Sequence, residues 1–229
     1  MKSFLISLSL LLLLACGKNN AKTMMPTDTL TYLAIGDSYT IGEALPLSGS
    51  FPHQLRKGLK EKGLQVGTPL IIAKTGWTTA ELQEGIKAAA LQSKFDIVTL
   101  LIGVNNQYRG ASKNVYRTEF RDLLEKAIAF AGGKKSHVFV VSIPDWGATP
   151  FGRQSGRDTE TIAQEIDAFN AINREETLAE GVSYTDITPA SRLAKSDESL
   201  IASDGLHPSE KMYKDWADQL EPKILKGLK

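Results

Sequence analysis

Ser38 stands in the stretch AIGDSYTIGE, two residues past a short apolar run. A serine in that place either caps a helix or serves as a nucleophile at the edge of a sheet. A hydroxyl attacks a carbonyl carbon only when a base takes its proton, so the second reading needs a histidine nearby. The chain has three, His53, His137 and His207. His53 lies within an expected helix, PHQLRKGL, and suits a packing or surface role. His137 opens an expected strand after GGKKS, which places it at the amino-terminal edge of a sheet, away from a residue that follows a strand. His207 sits in SDGLHPSE, just before the last expected helix, with Asp204 three residues upstream. In such a loop the carboxylate can reach imidazole Nδ1 while Nε2 faces a hydroxyl. An isolated Asp-x-x-His also fits a helix-capping loop, so the pair gains meaning only if the fold brings it to Ser38.

Acyl transfer further needs hydrogen-bond donors where negative charge develops on the carbonyl oxygen. Two segments offer them. In KTGWTT, Gly76 has no side chain to keep its backbone N–H away from a ligand. In IGVNNQYRG, Asn105 carries an amide with two donors. Taken singly, Gly76 also reads as a turn glycine and Asn105 as a turn or cap residue. Asp37, beside the serine, is read as a backbone acceptor that shapes the turn. No His-Glu-x-x-His and no cysteine or histidine cluster occurs, so neither a catalytic metal nor another cofactor is expected.

The elements that must position these residues alternate. Apolar runs at 30–35, 66–73, 95–102, 137–143 and 182–186 predict five strands. Helical patterns at 51–62, 80–92, 114–131, 159–180 and 208–228 separate and follow them. Ser50 with Pro52 marks the first helix start, Thr78 or Thr79 the second, and Gly132-Gly133 a helix end. The runs FDIVTLLI and HVFVVSI are nearly continuous, as in strands covered on both faces. Short strands alternating with helices imply an α/β three-layer sandwich around a parallel sheet. In such sheets the site lies at the carboxyl ends of the strands, which is where Ser38, Gly76 and Asn105 fall.

The 229 residues, 42% of them hydrophobic, suffice for one full core, and 27 basic against 26 acidic side chains give no block suited to nucleic acid. The N-terminus, MKSFLISLSLLLLLACG, has Lys2, an apolar run and then Cys16, the sole cysteine. The run is too short for a permanent span and fits a secretory signal. Its end resembles a bacterial lipobox. That implies a signal peptide over residues 1–15, lipidation at Cys16, a polar tether over 16–29 and a single domain over 30–229. The expected location is the cell envelope, held to the membrane by lipid and periplasmic if the host has an outer membrane. Oligomeric state is not legible in the sequence.

Taken together, Gly-Asp-Ser at 36–38, Gly76, Gly-x-Asn at 103–105 and Asp-x-x-His at 204–207 occur in the order of the four blocks of the SGNH hydrolases, the GDSL-type esterase superfamily, which the chain resembles over essentially the whole expected domain. The resemblance implies a flavodoxin-like five-stranded parallel sheet of order 2-1-3-4-5. It also implies roles. Ser38 is the nucleophile, His207 the base and then the acid, and Asp204 orients His207. The oxyanion donors are the N–H groups of Ser38 and Gly76 and the Asn105 amide. Two positions depart from the family pattern. Tyr39 stands where leucine is common, and Asn106 where aspartate is common, which predicts a weaker loop-ordering contact there. The chain lacks the G-x-S-x-G elbow of α/β-hydrolases.

Trp77 and Tyr108 are expected to line the substrate pocket, Arg109 to face solvent, and the long 144–158 segment, with Trp146 and Phe151, to cover an acyl pocket. The expected activity is hydrolysis of carboxylic esters through an acyl-enzyme, with a lysophospholipase- or thioesterase-like substrate or a carbohydrate O-acetyl group. Acyl transfer to a glycan, and ligand binding without catalysis, are the alternatives.

Overall fold

The structure, a computed structural model, describes residues 29–229. The expected signal segment, Cys16 and the tether through residue 28 lie outside the described residues.

Five strands, β1 (Tyr32–Gly36), β2 (Leu70–Ala73), β3 (Ile97–Leu101), β4 (Val138–Val141) and β5 (Ser183–Thr185), form one sheet of order β2-β1-β3-β4-β5. Every pairing is parallel, with Leu33 opposite Leu70 on one side and Val98 on the other. Strands β1, β3 and β4 are buried at every residue, as their unbroken apolar sequences require. The second strand is shorter than its apolar run. Pro69 has no N–H to donate, so pairing begins at Leu70 and Val66 makes only an isolated bridge to Leu30.

The long helices are α2 (Phe51–Glu61), α3 (Thr79–Ala89), α5 (Lys113–Phe130), α7 (Thr159–Ala179) and α9 (Glu210–Gly227). The β1→β2 connection runs opposite to β2→β3, β3→β4 and β4→β5. Right-handed crossovers therefore put α2 on one face and α3, α5 and α7 on the other. Helix α9 packs on α2, and α5 packs between α3 and α7. Helix α3 starts at a capping box, in which Thr78 and Glu81 satisfy each other's backbone N–H. It stops at Ala90, whose φ of 47° ends the helix before the expected Gln92.

Four short helices escape the helical-periodicity reading: α1 (Ser38–Ile41), α4 (Val104–Tyr108), α6 (Pro150–Gln154) and α8 (Thr188–Ser191). Each has five residues or fewer and so no repeat of an apolar stripe. The first two follow β1 and β3. These neighbouring strands have connections that leave toward opposite faces, so a crevice opens at their carboxyl ends.

Candidate active site

Ser38 is the first residue of α1. Asp37 caps that helix, its Oδ1 accepting the Tyr39 N–H at 3.0 Å. Gly36 makes the tight exit from β1 feasible. A Cβ there would fall 2.1 Å from Thr40 Oγ1 and 2.3 Å from the Leu101 carbonyl oxygen. At the N1 position the Ser38 N–H has no intrahelical acceptor.

Although 169 residues apart in sequence, His207 Nε2 and Ser38 Oγ lie 3.0 Å apart, and both residues are buried. On the other side of the ring, Nδ1 is 2.5 Å from Asp204 Oδ2. An ionised carboxylate can only accept, so Nδ1 carries the proton and Nε2 is the acceptor for the serine hydroxyl. Asp204 Oδ1 accepts the N–H groups of Leu206 at 2.9 Å and His207 at 3.0 Å. Partial burial works to raise the Asp204 carboxyl. The imidazole hydrogen bond, the two backbone donors and the histidine charge outweigh it and hold the group below its ordinary value. The Tyr39 ring lies against His207 at 5.4 Å between centroids and against Trp216 at 6.4 Å, which limits tilting of the imidazole.

These groups open onto a cavity of about 250 Å³. Gly76 and Asn105 line it together with the serine. Gly76 has φ +83°, a left-handed backbone that glycine adopts without strain. Asn105, in α4, donates one amide proton to the Trp77 carbonyl at 2.9 Å, which fixes the side chain and leaves the second proton for the cavity. Apart from Thr75, the remaining wall is aromatic or aliphatic: Tyr39, Val104, Tyr108, Trp146, Phe151 and Leu206. The indole of Trp146 donates to Gln107 Oε1 at 2.7 Å and lies under the Arg157 guanidinium. Serine, imidazole and carboxylate in this chain can attack an ester carbonyl beside the cavity, and backbone and amide donors in its wall suit the oxyanion of the tetrahedral species that forms.

The family model described as GDSL-like Lipase/Acylhydrolase family matches residues 34–214. The chain belongs to that family. This GDSL-like protein is a carboxylic ester hydrolase. A search of curated proteins returned no match. Among solved structures it is similar to the lipase/acylhydrolase from Enterococcus faecalis, at 21% identity, TM-score 0.67, and coverage of 88% of this chain and 98% of that one. TesA is similar at 20% identity and TM-score 0.65, covering 87% and 99%, and the acetyl xylan esterase AlAXEase at 16% and 0.65, covering 83% and 98%. At such identities the likeness establishes the shared α/β/α fold.

The structure gathers Ser38, His207, Gly76, Asn105 and Tyr108 around one cavity, with Asp204 bonded to His207 behind it. It does not bring Trp77 there. The Trp77 ring turns away and packs over Gly85 of α3, where a Cβ would fall 2.2 Å from the indole. Its carbonyl, not its ring, meets the site. Arg109 does not simply face solvent: its guanidinium donates to the Gly76 carbonyl oxygen at 2.6 Å and pairs with Glu81 at 3.2 Å. Asn106 ties its loop to the first residue of α3. Its Oδ1 accepts the Thr79 N–H at 3.0 Å and its Nδ2 donates to Thr79 Oγ1 at 2.7 Å. The 144–158 segment is partly helical, carrying a 3-10 turn at Trp146–Ala148 and then α6, and it supplies Trp146 and Phe151 to the cavity. Tyr39, Thr75, Val104 and Leu206 also line the cavity and were not foreseen as lining residues. All four adjoin a foreseen residue in sequence, which is the one signal that could have found them.

Proposed function

We propose that this esterase hydrolyses esters of short- to medium-chain carboxylic acids through an acyl-enzyme on Ser38. The observation that carries this reading is the continuous chain Asp204–His207–Ser38 opening onto an apolar cavity that also presents Gly76 and Asn105. His207 Nε2 takes the hydroxyl proton as Ser38 Oγ attacks the acyl carbon. The N–H groups of Ser38 and Gly76 and the Asn105 amide receive the oxyanion. His207 then protonates the leaving alcohol, and a water deprotonated by His207 releases the acid. The cavity holds about eight water volumes. Its aromatic and aliphatic wall favours a hydrocarbon chain over a sugar, which would need matched donors and acceptors. Among ester classes this favours a lipid-like or thioester-like acyl group over a carbohydrate O-acetyl group.

We also propose that the chain is anchored in the cell envelope through a lipid on Cys16, on the strength of Lys2, the apolar run and Leu13-Leu14-Ala15-Cys16. Incorporation of labelled palmitate into the wild type but not Cys16→Ala, with release of the variant from membranes, is the expected result.

Hydrolysis of p-nitrophenyl esters from acetyl to long acyl, by wild type and Ser38→Ala, tests the catalytic reading. Wild type should peak between butyrate and decanoate, and Ser38→Ala should lose about a millionfold in kcat. Equal activity of the two proteins would dismiss Ser38 as nucleophile, and a sharp acetyl optimum would dismiss the hydrocarbon pocket.

A further inference from the structure

We propose that Arg109 is a positioning residue that aims the Gly76 N–H into the oxyanion site; the inference rests on the oxyanion role proposed for Gly76 above. The loop that carries Gly76 is fastened to α4 and the residue after it at successive backbone groups. Arg109 Nη2 donates to the Gly76 carbonyl oxygen at 2.6 Å, Asn105 Nδ2 to that of Trp77 at 2.9 Å, and Asn106 accepts from Thr79 N–H at 3.0 Å. Asn105 and Arg109 are four residues apart, so one helical turn puts both on the side that faces the loop. On the other flank of Gly76, the Thr75 hydroxyl is bonded to the Glu43 carboxylate.

The need for such a clamp follows from the glycine. Gly76 has the backbone freedom that allows φ +83°, and the same freedom leaves the direction of its N–H undetermined by local sterics. A Cβ there would meet nothing closer than Arg109 Nη2 at 3.7 Å, so neighbouring bulk does not hold the peptide either. What holds it is the turn bond from the Trp77 N–H to the Lys74 carbonyl at 3.2 Å together with the bonds on either side, Thr75 to Glu43 and Arg109 to the Gly76 carbonyl. Arg109 is itself oriented. Its Nη1 lies 3.2 Å from both Glu81 oxygens, and Glu81 Oε2 accepts the Thr78 N–H at 2.7 Å as the reciprocal half of the α3 capping box. The guanidinium thus spans α3 and the α4 terminus and fixes the Gly76–Trp77 peptide unit, which adjoins, through the Gly76 Cα, the Thr75–Gly76 unit whose N–H must point at the substrate. Arg109 touches no reacting atom in this scheme.

The test compares wild type, Arg109→Met, Arg109→Lys and Ser38→Ala on p-nitrophenyl butyrate, with inhibition by butylboronic acid as a tetrahedral mimic. Arg109→Met should lower kcat about tenfold to a hundredfold with KM changed by less than about threefold. Boronic acid affinity should fall in the same proportion as kcat/KM, and Arg109→Lys, which keeps a donor for the Gly76 carbonyl, should recover most of both. A purely structural role would move Tm without this kcat-against-KM split or the matching loss of boronate affinity. Retention of kcat and boronate affinity by Arg109→Met overturns the proposal, as does a fall in kcat with boronate affinity unchanged. If Arg109→Met is too unstable to assay, Glu81→Gln, which frees the guanidinium while keeping a capping acceptor, must reproduce the split in weaker form, and wild-type kinetics in that variant count against the clamp. Full activity in Ser38→Ala would instead bring down the acyl-enzyme reading itself, whatever Arg109 does.

Discussion

His207 Nδ1 lies 2.5 Å from Oδ2 of Asp204, and the same carboxylate accepts the His207 backbone N–H through Oδ1. Asp204 therefore holds the histidine at two points, ring and backbone. Asp204→Asn should keep the backbone bond but present an amide to the ring, favouring the tautomer with the proton on Nε2, where it cannot accept from Ser38. The expected loss is about ten-thousandfold in kcat with KM little changed, by steady-state ester hydrolysis. The native carboxyl is held below its ordinary value, so its contribution to stability is present above the unfolded-state pKa and lost as pH falls through the folded one. Urea titrations should show wild type and Asp204→Asn converging in stability in acid below the ordinary carboxylate range.

Asp37 behaves in the opposite sense. Its carboxyl is fully buried, Oδ2 has no hydrogen-bond partner, and burial pushes it up to about 7 against two backbone bonds that lower it. A raised acid favours the folded state below the unfolded pKa, and that contribution is lost as pH rises through about 7. Asp37→Asn keeps the capping oxygen and has no charge to bury. It should gain roughly 2–3 kcal/mol on wild type between pH 5 and 8.5, measured by denaturant unfolding at both pH values. A constant difference between the two proteins would count against a neutral Asp37.

Asn106 explains its own departure from aspartate. The Thr79 hydroxyl is bonded to the Glu119 carboxylate, which uses its one proton, so toward Asn106 it presents a lone pair. The Asn106 amide supplies the donor that this oxygen needs, and an aspartate would set a carboxylate against it. Asn106→Asp should destabilise by about 1–3 kcal/mol and should not raise activity, even though it restores the common family residue. Thermal unfolding and ester hydrolysis together check this.

Trp146 separates the main cavity from a much smaller void bounded by Pro144, Ile201 and Met212, and the two share Tyr39, Trp146 and Leu206 in their walls. Trp146→Leu should join them, shift the chain-length optimum toward longer acyl groups, and cost about 3 kcal/mol of stability from lost packing. The kcat/KM profile over the p-nitrophenyl ester series reads the shift. An unmoved optimum in a folded variant would remove Trp146 as the limit on chain length.

What the sequence determined by itself is what depends on neighbours in the chain. The continuous apolar runs of β3 and β4 announce strands buried on both faces, and the Thr78 capping box announces the start of α3. Asp204 can orient His207 because three residues of loop suffice to close that contact. The position of Ser38 after β1, and of Asn105 after β3, also follows once strands and helices alternate, since parallel order places both at one edge. Only the tertiary structure decided where side chains on short, non-periodic segments point. Trp77 and Arg109 were both exposed to that indeterminacy. The ring turned onto Gly85, against the sequence expectation, and the guanidinium, exposed as expected, also turned onto the Gly76 carbonyl. The choice rests on partners 8 to 33 residues away, an open glycine surface on α3 and the Glu81 carboxylate with the Gly76 carbonyl. Such contacts depend on how α3 and α4 pack, which local propensity does not encode.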